Sequence, residues 1–452
     1  MTVTQHRCIV EDSTKSYYLG RMRQLFVLIL MALSTISCAQ VPPTASSPSA
    51  MSSTPVSSTD RVAGWRADLA ALLPGMARLH PALDHGVSRS ELDAAVAKLA
   101  AGVPVSTDDQ MLVGVMRIVA MVSADGCDAH TGAYVWGGGT YAVDSLPLRL
   151  WAFDEGMVIV DALPPYRELI GWRIDAVNAR ATADVLAALT PLVPRDNDTT
   201  IRLLLPRFVI IPQVLRGIGV AGAGPIALGL TRGQEHRDVS IAPIPMREYN
   251  AWAGPYGLHP PADAGVLYLS RMNDALWWQA LDGGSLLYVQ YNSVERLPQS
   301  MLADLRTALR VPGIDKVAVD IRLNTGGEVS GVDPMVDLFK DPAVDRPGHL
   351  FVITGRNTFS AAAIFLARVD AGTSAIVTGE SMSGCPTAYG NARSLTLERS
   401  GLVISVSTLQ EIGTTAADRR PTIEPELPAR WSLAAWIARD DPALAAIRAY
   451  RP

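Results

Sequence analysis

The spacing of apolar residues along this chain changes several times, and each change marks a segment. Residues 25–33 are an unbroken apolar run, and residues 41–60 carry almost no apolar or charged side chain larger than valine. From Trp65 the spacing becomes helical, with Leu69, Leu72 and Leu73 recurring on one face. Ser88 stands three residues before Glu91, a capping-box pattern that predicts a helix carrying Leu92, Val96 and Leu99. Residues 111–122 read as a third apolar helix. It runs into a polar turn that contains Asp125, Gly126, Cys127, Asp128 and His130.

Between about 145 and 250 the period shortens toward two. Residues 146–151 and 157–160 read as strands. Residues 168–178 read as a turn followed by a strand, and 181–189 as a helix. Together they suggest a compact module of PDZ-like character; a β-barrel insert fits the same periodicity. From 265 onward strands and helices alternate. Strands are predicted at 266–269, 286–291, 316–321, 349–354 and 375–378, and helices at 299–309 and 360–371. Such alternation argues for an α/β core with parallel pairing. The expected class is therefore α+β multidomain, with a helical segment at 61–140, the β module at 145–250 and the core at 262–452.

Composition narrows the function classes. The chain has 452 residues, 48% hydrophobic and 18% charged, enough for more than one ordinary core. Its net charge of −5 and lack of basic runs argue against nucleic acid as the main partner. Arg21 and Arg23 precede the apolar run, and Ser34, Thr35, Ile36, Ser37 and Cys38 follow it. Positive charge, a short apolar stretch and small residues make a secretory signal pattern over 1–38. The cysteine suggests a lipoprotein signal with Cys38 lipidated; a plain cleaved signal near Ala39 is the alternative. Met22 is an alternative start to Met1. The Pro/Ser/Thr/Ala stretch 39–60 reads as a flexible tether. The expected location is the periplasm or a membrane surface of a bacterium, reached through the N-terminal lipid alone.

One serine stands out for chemistry. Ser360 lies between a predicted strand ending at Thr354 and a predicted helix, where its hydroxyl and the next amide can face a substrate. Taken alone, a helix cap is the better explanation of it. Gly326 and Gly327 follow another buried strand, and a Gly-Gly pair lets backbone amides approach a ligand closely. Two amides from these turns would make an oxyanion hole.

The segments Asp320-Ile321-Arg322-Leu323-Asn324-Thr325-Gly326-Gly327, Thr358-Phe359-Ser360-Ala361-Ala362, Val377-Thr378-Gly379-Glu380 and Gly384-Cys385-Pro386-Thr387-Ala388-Tyr389-Gly390 resemble the tail-specific (C-terminal processing) protease family. Asp128-Ala129-His130-Thr131, the strand 288–292 and Asp441-Pro442-Ala443-Leu444 fit the same family in order. The resemblance spans nearly all of 60–452. It implies a core of ClpP/crotonase-like type, Ser360 as nucleophile, and Gly326, Gly327 and Ala361 as the oxyanion-hole segment.

The best-known members use a lysine base about 25 residues after the serine. Here position 385 is Cys385, and the four lysines, Lys15, Lys98, Lys316 and Lys340, all precede Ser360. A histidine is the remaining default. Of the seven histidines only His130 lies in a segment matching the family, as in its tricorn-like branch, so the chain is read as closer to the tricorn-like and retinoid-binding-protein-like branch. Asp418 is the expected carboxylate partner of the histidine, with Glu411, Glu380 and Asp128 as competitors. Cys127 and Cys385 fall on the implied active-site rim and, in an oxidising compartment, are expected to pair.

The function expected is an exported serine peptidase working through an acyl-enzyme on peptide or protein substrates, with no cofactor and no metal. A catalytically inactive peptide- or lipid-binding protein on the same fold is one alternative. An esterase for small substrates is another.

Overall fold

The computed structural model describes residues 58–136, 139–253 and 265–451. The expected signal segment, Cys38 and all but residues 58–60 of the expected tether lie outside them. Three helices come first: α1 Ser58–Ala77, α2 Arg89–Gly102 and α3 Asp108–Met121. The capping box before α2 is formed, with Glu91 N–H donating to Ser88 Oγ at 3.3 Å and Ser88 N–H to Glu91 Oε2 at 3.0 Å. Thr107 and Gln110 cap α3 in the same way.

The β module follows: strands β1 Leu148–Phe153, β2 Gly156–Ala162 and β3 Arg173–Val177, helices α4 Thr182–Leu189 and α5 Asp198–Val209, and strands β4 Ile226–Arg232 and β5 Glu235–Ile241. The strands lie in the order β1-β2-β3-β4-β5 with antiparallel neighbours, and the short strand Arg180–Ala181 pairs with β3. The helices and this module do not keep separate cores. Leu69, Met76 and Leu112 share one apolar cluster with Ile159, Val177 and Leu228, and Ile404 and Val406 join it from far down the chain. The expected boundary near 140–145 is therefore a change of secondary structure, not a break between cores.

The second large sheet contains β6 Leu276–Leu281, β7 Leu286–Tyr291, β8 Lys316–Asp320, β9 Leu350–Thr354 and β10 Ile376–Gly379. Helices α6 Gln299–Leu309, α7 Val332–Phe339 and α8 Ala361–Gly372 connect its parallel strands. After it come β11 Thr387–Gly390, β12 Arg393–Thr396, β13 Val403–Val406, β14 Leu409–Ile412, β15 Leu427–Pro428, α9 Leu433–Ala438 and α10 Pro442–Ala449. The sheet order is β15-β10-β9-β8-β7-β6; β7 to β10 and β15 run parallel and β6 antiparallel.

Alternation explains why these strands read as continuous apolar runs. Val317, Val319, Leu350 and Val352 point to one face, packed against α6, α7 and α8. Ala318, Phe351 and Ile353 point to the other, where α10 packs through Ala443, Leu444 and Ile447. Residues 266–269, expected as a strand, form a one-turn 3₁₀ helix over Leu267–Leu269. Val266, Tyr268 and Leu269 bury themselves against Val158, Val160 and Trp431. A four-residue apolar run is satisfied by burial in either conformation. The whole is a mixed α+β fold with several sheets. Among the described residues no helix is long and apolar enough to cross a membrane.

Candidate active site

The carboxyl ends of β8 and β9 open toward the same place, as expected for a site on a parallel sheet. Beyond β8 the chain is fixed by Arg322. Its guanidinium bridges Asp320 (Nη2 to Oδ2, 2.6 Å) and Asp441 (Nη2 to Oδ2, 2.7 Å), and Asp441 also caps α10. Asn324 then acts as a bracket. Its Nδ2 donates to the Tyr291 carbonyl at 3.0 Å, its Oδ1 accepts the Gly326 N–H at 2.9 Å, and its own carbonyl accepts the Phe359 N–H at 3.1 Å. The two glycine turns and the serine turn are thereby tied together.

Gly326 and Gly327 have φ values of +103° and +138°, where a side chain is strained. A Cβ on Gly326 would lie 2.6 Å from Ser360 Cβ, and one on Gly327 would lie 2.1 Å from the Val294 carbonyl oxygen. The bond to Asn324 removes the Gly326 N–H from the expected oxyanion hole. The N–H groups of Gly327 and Ala361 have no partner among the described residues and are the two left to form it.

Ser360 precedes α8 with φ 54° and ψ −128°, and its side chain makes no capping bond. The cap explanation therefore does not describe this serine. Its Oγ lies 3.1 Å from His130 Nε2 instead. A non-glycine residue held in that backbone region is a marker of function when its surroundings enforce it. Here Thr358 does so through a 2.8 Å bond from its Oγ1 to the Ile321 carbonyl, together with the Asn324 bracket.

His130 stacks on Phe359 with ring centroids 4.5 Å apart. Burial pushes its imidazole down to about 4, with the Asp128 charge and the Tyr389 backbone acting the other way. It is therefore neutral at ordinary pH. Its Nδ1 is buried and meets no carboxylate among the described residues; the Tyr389 backbone acts on the ring but falls short of a well-formed hydrogen bond.

The turn that carries His130 is anchored from several distant places. Cys127 is disulfide-bonded to Cys385, with Cα atoms 5.5 Å apart. Asp196, wholly buried, accepts the Ala129 N–H at 2.6 Å and the Cys385 N–H at 3.1 Å, while its carbonyl accepts the Cys127 N–H at 2.9 Å. Burial pushes the Asp196 carboxyl up to about 7 against the pull of those two amides. Asp128 points away from His130. Its Oδ1 accepts from Ser407 at 2.6 Å and its Oδ2 meets His80 Nε2 at 3.0 Å and His85 Nε2 at 3.3 Å. Burial raises the Asp128 carboxyl, but these hydrogen bonds outweigh it and hold it below the usual range.

His80, His85 and Asp128 offer ligand atoms within 4.8 Å of one another. They are nevertheless bonded as a hydrogen-bond net. The Ala82 N–H donates to His80 Nδ1 at 3.0 Å, which leaves the proton on Nε2, the nitrogen that would have to face an ion. His85 lies between Asp125 (2.9 Å) and Asp128 (3.3 Å). Burial lowers its pKa, but those carboxylates outweigh burial and raise it.

Asp418 is not brought to His130. Both its oxygens are taken by Arg420, at 3.0 and 2.9 Å, and Arg420 reaches on to Asp370 in α8 at 2.9 Å. An aspartate beside two arginines is recruited by the nearer charge, which the sequence displays but does not rank. Glu380 is committed to Arg356 at 2.7 Å. Glu411, half-buried on β14, is paired across to Ala388, and burial raises its carboxyl. Asp128 supplies the charge that acts on His130, without touching it.

Asp196 and Ser407 carry no sequence signal of their part in this site, and Asn324, His80 and His85 show their bonding roles only in the structure. Asp196 sits in Arg195-Asp196-Asn197-Asp198 ahead of α5 and reads there as an ordinary polar loop residue.

Beside His130 and Phe359 lies a recess of about 500 Å³. Tyr134, Trp136, Leu203, Leu204 and Val403 give it apolar walls, and Thr200, Ser383 and Ser405 line it with hydroxyls.

No family model matches the sequence, and no curated protein matches it. Solved structures do. Mature CPAF complexed with lactacystin matches with a TM-score of 0.58 at 12% identity, covering 84% of this chain and 96% of that one. A CPAF mutant matches with a TM-score of 0.59 at 10% identity, covering 87% and 99%. The photosystem II D1 C-terminal processing protease aligns over 86% of this chain and 99% of its own, with a TM-score of 0.39 and 13% identity. These neighbours are tail-specific (S41) serine proteases, and the chain shares the CPAF fold.

Proposed function

We propose that this chain is an exported serine peptidase whose dyad is Ser360 and His130. The observation that carries the reading is the 3.1 Å approach of His130 Nε2 to Ser360 Oγ, made by a serine that does not cap its own helix. The similarity to CPAF in fold supports it.

In the proposed reaction neutral His130 takes the Ser360 proton on Nε2 as Oγ bonds to a peptide carbonyl carbon. The oxygen of that carbonyl gains the electron pair and is held by the Gly327 and Ala361 amides. The C–N bond then breaks, and His130 passes its proton to the leaving amine. Water, deprotonated by the same imidazole, attacks the acyl-enzyme and releases Ser360. Asp128 steadies the transient imidazolium by its charge across the turn, in the role first expected of Asp418. The β module, PDZ-like in its strand, turn and helix order, is proposed to receive the peptide, and Cys38 to carry the lipid anchor.

A non-catalytic binder is favoured by one observation: His130 Nδ1 lacks a carboxylate partner. A fluorophosphonate probe separates the two readings. Labelling that vanishes in Ser360→Ala and falls sharply in His130→Ala supports the peptidase. A folded, unlabelled protein overturns it.

A further inference from the structure

A recess of about 810 Å³ lies between β2, β3 and β4 of the β module and the C-terminal helix α9, and it shares no residue with the recess at His130. Four arginines line it: Arg167, Arg173, Arg232 and Arg439. Arg173 is held by Asp175 at 2.6 Å, and Arg232 meets Glu235 at 3.3 Å and lies over the Trp172 ring. Arg167 and Arg439 have no ion-pair partner among the described residues. The one carboxylate in the lining, Asp161, is already engaged: its Oδ1 accepts the Ala162 N–H at 2.9 Å, and its Oδ2 lies 3.8 Å from Arg149. Cationic charge is in excess on both sides of the recess.

Apolar surface is in excess there too. Ile437, 66% exposed, and Ile170, 39% exposed, are large apolar side chains left in water, and both line this recess from facing elements. Single exposed apolar residues are ordinary; two converging on one concave surface mark an interaction site.

We infer that this recess is a docking groove for an extended polypeptide segment in which acidic and large apolar residues alternate. The carboxylates would meet Arg167 and Arg439, and the apolar side chains would cover Ile437 and Ile170. Charge complementarity selects the acidic partner. The concave shape favours a peptide over an anionic bilayer, which needs a protruding surface. The groove would hold a chain at a distance from Ser360, and its occupancy does not depend on the peptidase reading.

The test uses the full chain carrying Ser360→Ala, so that no bound peptide is cut. A fluorescein-labelled peptide of alternating Glu and Leu is titrated by anisotropy beside the same peptide with Lys for Glu. The acidic peptide should bind at least about 10-fold more tightly, and raising the salt should weaken it several-fold. Arg167→Glu with Arg439→Glu should lower its affinity about 10-fold, and Ile437→Asp about 5-fold. These side chains are exposed, and a melting curve confirms that each variant folds. Equal binding of the two peptides, or no response to the charge reversal, overturns the inference. So does sedimentation with anionic phospholipid vesicles in the absence of peptide binding.

Discussion

The two halves of the candidate dyad are held in place by opposite means. Ser360 is positioned by its own neighbourhood: the strand ends of β8 and β9, the glycine turn, and an asparagine bracket within the same sheet. His130 is positioned by the rest of the molecule. Its turn is tied to Asp196 in the β module, to Cys385 beyond the nucleophile helix, to Ser407 after β13, and to His80 and His85 between α1 and α2. A nucleophile needs a strained backbone that a few local bonds can enforce. A base supplied from a distant segment needs distant anchors.

The largest effects should come from the pair itself. Ser360→Ala should abolish probe labelling, and His130→Ala should lower the labelling rate by about 10³-fold or more with the fold intact by circular dichroism. Equal loss would mean the halves act as a unit; a mild His130→Ala phenotype would break the dyad. Next comes the disulfide. Cys127→Ser should cost about 2–5 kcal/mol in denaturant unfolding and reduce labelling, because it frees the histidine turn. If labelling survives in the folded variant, the distant anchors are not what place the base.

The pH response sharpens the same contrast. An imidazole held near 4 stays a base well below the usual value of 6.5. Labelling should therefore stay level from neutral pH to about 5 and fall by half near 4. A midpoint near 6.5 would show that His130 is not buried in the working enzyme. Stability has a matching sign. The unfolded histidine takes its proton near 6.5 and the folded one only near 4, so this contribution is present above 6.5 and lost as pH falls toward 4. Asp196 runs the other way. Its folded value of about 7 lies above its ordinary 3.8, so its contribution is present below 3.8 and lost as pH rises through 7. Asp196→Asn should remove that decline in melting temperature between about pH 4 and 7, while leaving one buried backbone N–H without an acceptor, at a cost of about 1–3 kcal/mol.

The smallest effect should be that of Asp418→Ala. Arg420 is half open to solvent and Asp418 makes no bond to His130, so labelling should be unchanged and stability should fall by about 1 kcal/mol. A large loss of labelling would restore Asp418 to the site.

The same division explains what could be read from the sequence. β7 and α6 fall where their apolar spacing places them, and the strand–serine–helix and strand–Gly-Gly turns stand out because each is a short contiguous pattern. Residues 266–269 read as a strand but form a 3₁₀ turn, because their apolar side chains are buried equally well when the backbone bonds locally, as in Leu269 N–H to the Val266 carbonyl at 3.2 Å. Asp196 was invisible because its partners, Ala129 and Cys385, lie far away along the chain in either direction. Asp418 was overvalued because spacing along the chain carries no information about which nearby arginine will claim a carboxylate. The Gly-Gly pair puts two amides in reach of an oxyanion, but the sequence does not display the Asn324 bond that spends the one on Gly326.

The disulfide joins cysteines 258 residues apart, and the dyad itself spans 230. A chain made from its N-terminus exposes His130 long before residues 360 and 385 exist. During synthesis the half-made protein therefore holds a histidine with nothing to activate, and later a serine whose base is not yet anchored. Contacts this remote in sequence form late and slowly. The proposed dyad is therefore complete only when the last third of the chain has folded back on the first.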